Sequence, residues 1–345
     1  MANKGNKGAA GILAAVLAAS LLWTPVAAAE PPAELVPLGT AVGVRVETDG
    51  LLVIGLTGLE TAEGSRSPAE EAGLRVGDLI THVGNSRVST ARQLREALER
   101  EGETVSLRFL RAGKEQQVTV IPGKGEGGEP ELGVWLRSGL SGIGTLTWYD
   151  PVSGTFAALG HGVNDVDTGV RLPLKSGIVG KATVDSVLRG SAGAPGELKG
   201  QLGLERPFGC VLRNTEAGIF GALEPGAVPE SLGEPIPICP AAELRCGPVE
   251  ILSDVGGEVR RYAARILRVY TGGGNRDLLI QVTDERLLGL TGGIVQGMSG
   301  SPILQDGRLA GAVTHVLISD PAKGYGISIE DMLAGAFPAA ADKAA

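Results

Sequence analysis

Gly293-Ile294-Val295-Gln296-Gly297-Met298-Ser299-Gly300-Ser301-Pro302-Ile303 is the stretch on which the reading of this chain turns. A serine stands between glycines. Behind it Ser301 to Leu304 reads as a short strand, Asp306-Gly307 as a turn and Leu309 to Val316 as a second strand. The rest of the chain has the same character. It holds 54 glycines in 345 residues, about twice the usual share, with no G-X-Y period, and aromatic residues make up only 3%. That composition predicts tight turns and close backbone approaches in a mainly β protein, long enough for roughly two domains.

Charge and scarce residues exclude several classes of chemistry. The net charge is −8 and the pI near 5.1, which lacks the basic face a nucleic-acid binder needs. Three Cys and three His, without C-x-x-C or H-E-x-x-H, give no zinc site. A G-x-x-x-x-G-K-[ST] phosphate loop is also missing, so neither metal nor cofactor is expected. Residues 1–29 carry Lys4 and Lys7 ahead of an uncharged run from Gly8 to Ala29, ending in Ala27-Ala28-Ala29. The run is about as long as a membrane span, so the segment is expected to be a signal peptide or a membrane-anchor helix, exporting all that follows. Export permits disulfides, and Cys239 and Cys246 could close a small loop, leaving Cys210 over.

Upstream of the serine, residues 35–122 read as strand, hairpin, helix, strand. Ala41 to Glu47 and Leu51 to Gly55 are apolar-rich and meet at Asp49-Gly50, a hairpin signal. Ser89 or Thr90 can cap a helix running to about Arg100, with Ala91, Leu94, Ala97 and Leu98 on one face. Ala69 to Ile80 matches the A-x-x-A-G-L-x-x-G-D-x-I phrase throughout, so this region resembles a bacterial PDZ domain. Such a domain binds an extended peptide or a protein C-terminus at a sheet edge. On that resemblance Leu38 and Gly39 would belong to the carboxylate-binding loop, and the groove would lie between the strand starting at Ala41 and the helix bearing Leu94. His82, on a strand of this module, reads as structural. Residues 123–131, Gly- and Glu-rich, have linker composition, and a second domain is expected over 132–338.

The stretch around Ser299 resembles the G-x-S-G-x-P nucleophile turn of chymotrypsin-like peptidases, which implies a double β-barrel and a serine endopeptidase. There the glycines expose the hydroxyl, and the amides of Gly297 and Ser299 would form an oxyanion hole. The base is expected at His161, in a Gly-flanked loop just after a strand ending at Leu159. His315 lies in the strand after the serine, where such enzymes build a wall of the specificity pocket.

Beyond about residue 35 most of the chain resembles the stage IV sporulation protein B family of PDZ-containing serine peptidases. The likeness includes Val36-Pro37-Leu38-Gly39, Gly142-Ile143-Gly144-Thr145, Leu159-Gly160-His161 and Pro195-Gly196-Glu197, and is densest from Val282-Thr283-Asp284 to Val316. It implies an enzyme exported into the space between two membranes of a sporulating cell. There it would cleave a membrane-bound regulatory protein, and itself, to release an intramembrane protease. The family's nucleophile, base and acid map to Ser299, His161 and Asp284; Asp165 and Asp167 are sequence-near rivals for the acid. Two other readings stand beside it: a broad quality-control peptidase gated by the PDZ domain, and a catalytically inactive PDZ adaptor.

Overall fold

Apolar side chains recurring at every second position make most of this chain strand, as in Arg260–Val269, whose Tyr262, Ala264 and Ile266 are buried between exposed neighbours. The computed structural model describes residues 31–61, 64–125, 127–224, 233–270, 272 and 274–337. The expected signal or anchor helix at 1–29 lies outside them. Among the described residues no helix is long and apolar enough to cross a membrane.

Twelve strands close two antiparallel barrels. The first holds β1 (Ala41–Leu56), β2 (Val134–Asp150), β3 (Thr155–Ala158), β4 (Leu174–Lys181), β5 (Pro207–Thr215) and β6 (Gly218–Leu223). Their pairings run β1-β2-β3-β6-β5-β4 and back to β1. The second holds β7 (Gly247–Ser253), β8 (Arg260–Val269), β9 (Leu278–Val282), β10 (Pro302–Gln305), β11 (Arg308–Val316) and β12 (Lys323–Ser328), closed in the order β7-β8-β9-β12-β11-β10. The two rings have the same strand order, so the molecule repeats one barrel plan. The barrels meet over an apolar layer in which Trp148, Ala157 and Phe220 of the first pack with Leu252, Leu304, Leu309 and Ile327 of the second. Trp148 is fully buried there; truncating such a residue costs on the order of 3–5 kcal/mol.

The PDZ module is spliced into the first barrel. Strand β1 runs unbroken through Asp49-Gly50, where the sequence predicts a hairpin turn. Both halves of β1 pair with the same long strand β2, which templates them end to end, and Thr48 Oγ1 donates 2.6 Å to Gly50 O across the resulting bulge. The first half, with Glu34–Pro37, belongs to the peptidase sheet, and the second half pairs with Leu79–Val83 of the PDZ module. Helix α1 (Ala91–Glu101), capped by Thr90 Oγ1 on the Gln93 amide, packs Leu94, Ala97 and Leu98 into that module's core. Residues 123–131 are not a loose linker: Gly123–Lys124 pairs with Pro130–Glu131 as a two-stranded clip leading directly into β2. Cys239 is buried while Cys246 and Cys210 are exposed, and all three are free thiols, so the Cys239–Cys246 bridge that export would permit is not formed. His82 is held 3.0 Å from Thr81 Oγ1 within its strand.

Candidate active site

The chain enters the nucleophile turn from helix α2 (Glu285–Thr291) and leaves it into β10. Four neighbours fix the turn. Thr145 of β2 donates its amide to Ser299 O at 2.9 Å and its hydroxyl to Gly297 O at 2.8 Å. The Gly300 amide bonds Val313 O at 2.7 Å, and Gln296 exchanges backbone hydrogen bonds with Gly196 and Leu198. Gly300 is required by space: a Cβ there would stand 2.0 Å from Thr145 O and 2.5 Å from Leu159 N. Three backbones therefore meet behind Ser299. Among the described residues neither the Gly297 nor the Ser299 amide donates to another group, which leaves both expected oxyanion donors open.

His161 follows β3 through Leu159, whose φ of 71° is unusual for a branched residue and turns the chain toward the other barrel. Its Nδ1 lies 2.8 Å from Gly162 O. A carbonyl only accepts, so Nδ1 carries the hydrogen and Nε2 keeps its lone pair. Burial pushes the imidazole pKa below its ordinary value, which keeps the ring neutral at pH 7. Ser299 and His161 share one cleft of about 360 Å³, walled by Leu140–Ile143 on one side and by Val163, Asn164 and Val166 on another. The Ser299 hydroxyl is donated to Thr314 O at 2.8 Å, so it is parked on the neighbouring strand rather than on His161. Rotation about one side-chain bond releases it; catalytic hydrogen bonds commonly tighten only with substrate in place.

The structure does not bring Asp284 to His161. Asp284 is the N-cap of α2, accepting from the Arg286 and Leu287 amides, and also takes the Ala263 amide and the Arg286 guanidinium. Those donors, Arg286 first, hold its carboxyl far below the usual carboxylate range. The groups acting on His161 include no carboxylate. The rivals are committed elsewhere as well. Asp165, fully buried, pairs with Arg137 and accepts from the Thr168 and Asp167 amides, and Asp167 takes the other arm of Arg137 at 2.8 Å. These carboxylates shape the His161 loop without touching its ring. His315 does not line the cleft: its ring centroid lies 5.0 Å from that of His161, its Nδ1 is buried without a partner, and burial, then His161 and Arg276, push its pKa down to about 4.

Leu38 and Gly39 are likewise elsewhere. They bond Thr147 and Leu146 and sit against Leu252 of the second barrel, away from α1. The PDZ groove, about 310 Å³, lies between Ala91, Leu94, Arg95 and Leu98 of α1 and the segment Leu132–Leu136. The strand heading the groove thus comes after the helix in sequence, so Leu94 keeps its expected place and the loop does not. The Leu132 and Gly133 carbonyls are tied inward by the Ala69 and Thr57 amides. In planar trans peptides the next N–H points the opposite way, so the Gly133 and Val134 amides face the groove. Gly133 adopts φ 70°, and a Cβ there would meet Thr57 O at 2.4 Å.

Sequence reasoning passed over three positioning residues. Thr145 anchors the nucleophile turn, and Arg137 braces the His161 loop. Asn214 bonds Val163 N and O and Leu172 O from β5. Each acts on residues distant in sequence, which leaves no local pattern to read.

Parts of this chain are similar to known proteins. A model of the SpoIVB peptidase S55 family matches residues 128–333, and a PDZ model matches 61–111. Serine protease HTRA1 of Xenopus tropicalis is 36% identical over 56 residues, 16% of this chain; the match spans only 12% of that protein's length. The PDZ domain of an SdrC-like protein from Listeria monocytogenes aligns with 26% of this chain and 90% of its own, at 22% identity and a TM-score of 0.21. The active form of the Rv3671c protease of M. tuberculosis aligns with 59% of this chain and 76% of its own, at 18% identity and a TM-score of 0.33. The family match takes in both His161 and Ser299, and by it the chain belongs to the SpoIVB peptidase S55 family of serine peptidases.

Proposed function

We propose that this protein is an exported, site-specific endopeptidase in which Ser299 is the nucleophile and His161 the base. The observation that carries the reading is one cleft between the barrels. In it Ser299, a neutral His161 with its Nε2 lone pair free, and the open Gly297 and Ser299 amides converge. Ser299 Oγ, released from Thr314 O, adds to the scissile carbonyl while His161 Nε2 takes its proton. The two amides receive the oxyanion, and the imidazolium returns the proton to the leaving amine. Water then repeats the sequence on the ester and frees Ser299. Gly162 O holds the Nδ1 hydrogen throughout, the task a carboxylate performs in a triad.

Family membership and a PDZ groove built into the same sheet support a regulatory role over general degradation. In this reading the enzyme cuts a membrane-associated signalling protein, and itself, during sporulation, and so activates an intramembrane protease. A fluorophosphonate that labels the wild type but not Ser299→Ala, with peptide hydrolysis lost in the same variant, tests the chemistry. Labelling that persists in Ser299→Ala refutes the nucleophile, and rapid digestion of casein would favour the quality-control reading.

A further inference from the structure

The PDZ groove and the Ser299 cleft lie on one strand. Strand β2 pairs with β1 along one side from Val134 to Thr145, and its other side acquires a strand partner, β3, only from Leu146 onward. Just before that point Thr145 touches the nucleophile turn. From Val134 to Ile143 the second side is therefore an open sheet edge. It begins at the α1 groove and ends in the catalytic cleft, where Leu140–Ile143 form a wall. A third depression, of about 290 Å³, lies over the middle of β2 at Ser138–Ser141, with Arg45–Thr48 of β1, Ser89, Thr90 and Lys175 as its other walls. An open edge is a template for an added strand.

Polarity follows from the amides. A terminal carboxylate held by the Gly133 and Val134 N–H groups sits where β2 starts, so residues upstream of it run antiparallel to β2, toward Ile143 and Ser299. The chemistry demands the same direction. The leaving amine takes its proton from His161, so it must depart through the cleft that His161 shares with Leu140–Ile143. The product's new amino end therefore lies over Ile143, and its carboxyl end lies in the PDZ groove. We infer that the enzyme is a carboxyl-terminal ruler: it takes the free C-terminus of its substrate as an added strand along β2 and cuts at a fixed distance upstream. Val134 to Ile143 spans nine residue steps, about 30 Å at roughly 3.3 Å each, so the released piece is about ten residues long. The Leu140, Ile143, Val163 and Val166 walls favour an apolar residue just after the cut, and Ala91, Leu94 and Leu98 favour an apolar C-terminal residue.

This inference rests on the proposed roles of Ser299 and of the PDZ groove. The test uses the full chain and a mixture of peptides of about two dozen residues, made once with free carboxyl ends and once as C-terminal amides. Mass spectrometry reads the cut positions, with Ser299→Ala as the control. Ser299-dependent cuts should cluster about ten residues from a free carboxyl end. They should move by as many residues as are appended to the C-terminus, and they should scatter in the amide set and in Leu94→Asp. The amide set carries the test even if that variant does not fold. Ser299-dependent cuts that stay with the local sequence, equally in acids and amides, overturn the ruler and leave the peptidase standing. Cuts that are absent, or that persist in Ser299→Ala, overturn the proposed function and the ruler with it.

Discussion

Thr145→Val isolates the link between the first barrel and the nucleophile turn. Thr145 is buried, and its hydroxyl donates 2.8 Å to Gly297 O. Valine keeps the shape and removes the donor, leaving a buried carbonyl unpaired at about 1–3 kcal/mol. The same hydrogen bond holds Gly297, whose amide is one of the two open donors beside Ser299. If the whole loss is spent freeing that residue, the competent population falls about 5- to 150-fold. The ceiling is complete loss of one oxyanion donor, about 10²–10³ in kcat. The donor acts on charge that exists only in the transition state, so kcat and kcat/KM should fall together with KM unchanged. Thr145→Ser should restore both, since it returns the hydroxyl. Steady-state hydrolysis of a peptide substrate, with melting temperatures measured in parallel, reads both effects. A Thr145→Val enzyme that melts lower yet keeps wild-type kcat would refute the reasoning, because the hydrogen bond would then serve stability alone.

Asp284→Ala should cost about 1 kcal/mol of stability through the lost N-cap, whereas Asp284→Asn and Asp284→Ser keep the cap and should retain activity within about tenfold; a loss near 10⁴ in Asp284→Asn would make it the triad acid after all. Arg137→Met leaves the fully buried Asp165 unpaired, so melting should show a loss on the order of 3 kcal/mol, and activity should weaken as the His161 loop loosens. The acid limb of kcat/KM should lie below pH 6.5, since burial lowers the His161 pKa; a midpoint at or above 6.5 would contradict its buried setting. His315 is held at about 4, so below about pH 6.5 the unfolded chain binds its proton first. Its contribution, roughly 3 kcal/mol, is complete above that pH and is lost as the pH falls toward 4, and His315→Phe should flatten the dependence of melting temperature on pH.

Much of this was legible because it was local. The Ser299 turn, the His161 loop after a strand, and the Ala69–Ile80 phrase each carry their geometry in a few adjacent residues. Strands β10 and β11 follow from strand periodicity after Ser299, whereas the double barrel itself is expected only from the likeness to chymotrypsin-like peptidases. What was not legible depends on pairing between distant segments. Asp49-Gly50 has hairpin chemistry, yet β2 pairs with residues on both sides of it, so the turn is absorbed as a bulge within one strand. Leu38-Gly39 and Leu132-Gly133 are both Leu-Gly pairs ahead of a strand, and only the position of α1 tells which heads the groove. The Gly- and Glu-rich composition of 123–131 disguised the clip that brings the second pair there. Asp284, followed by Glu285-Arg286-Leu287-Leu288, has the look of a helix N-cap, a signal that the likeness to a triad acid overshadowed.

The path of β1 and β2 through both modules changes how the PDZ domain can act. On a flexible linker, a peptide-binding module raises the effective concentration of substrate at the active site and leaves open which bond is presented. Here the groove and the cleft are two stations on one strand, and Arg137 and Thr145, which brace the His161 loop and the Ser299 turn, belong to that strand too. A peptide seated in the groove is presented in fixed register, so selectivity follows from geometry as well as from affinity. The same strand gives the groove a direct route to the catalytic turn, because Val134–Ile143 leads into Thr145, whose amide and hydroxyl hold Ser299 O and Gly297 O. Binding energy gained remotely at the α1 groove would then be realised at Ser299, a use of binding energy that raises kcat as well as lowering KM. A tethered module cannot do this, however high its affinity.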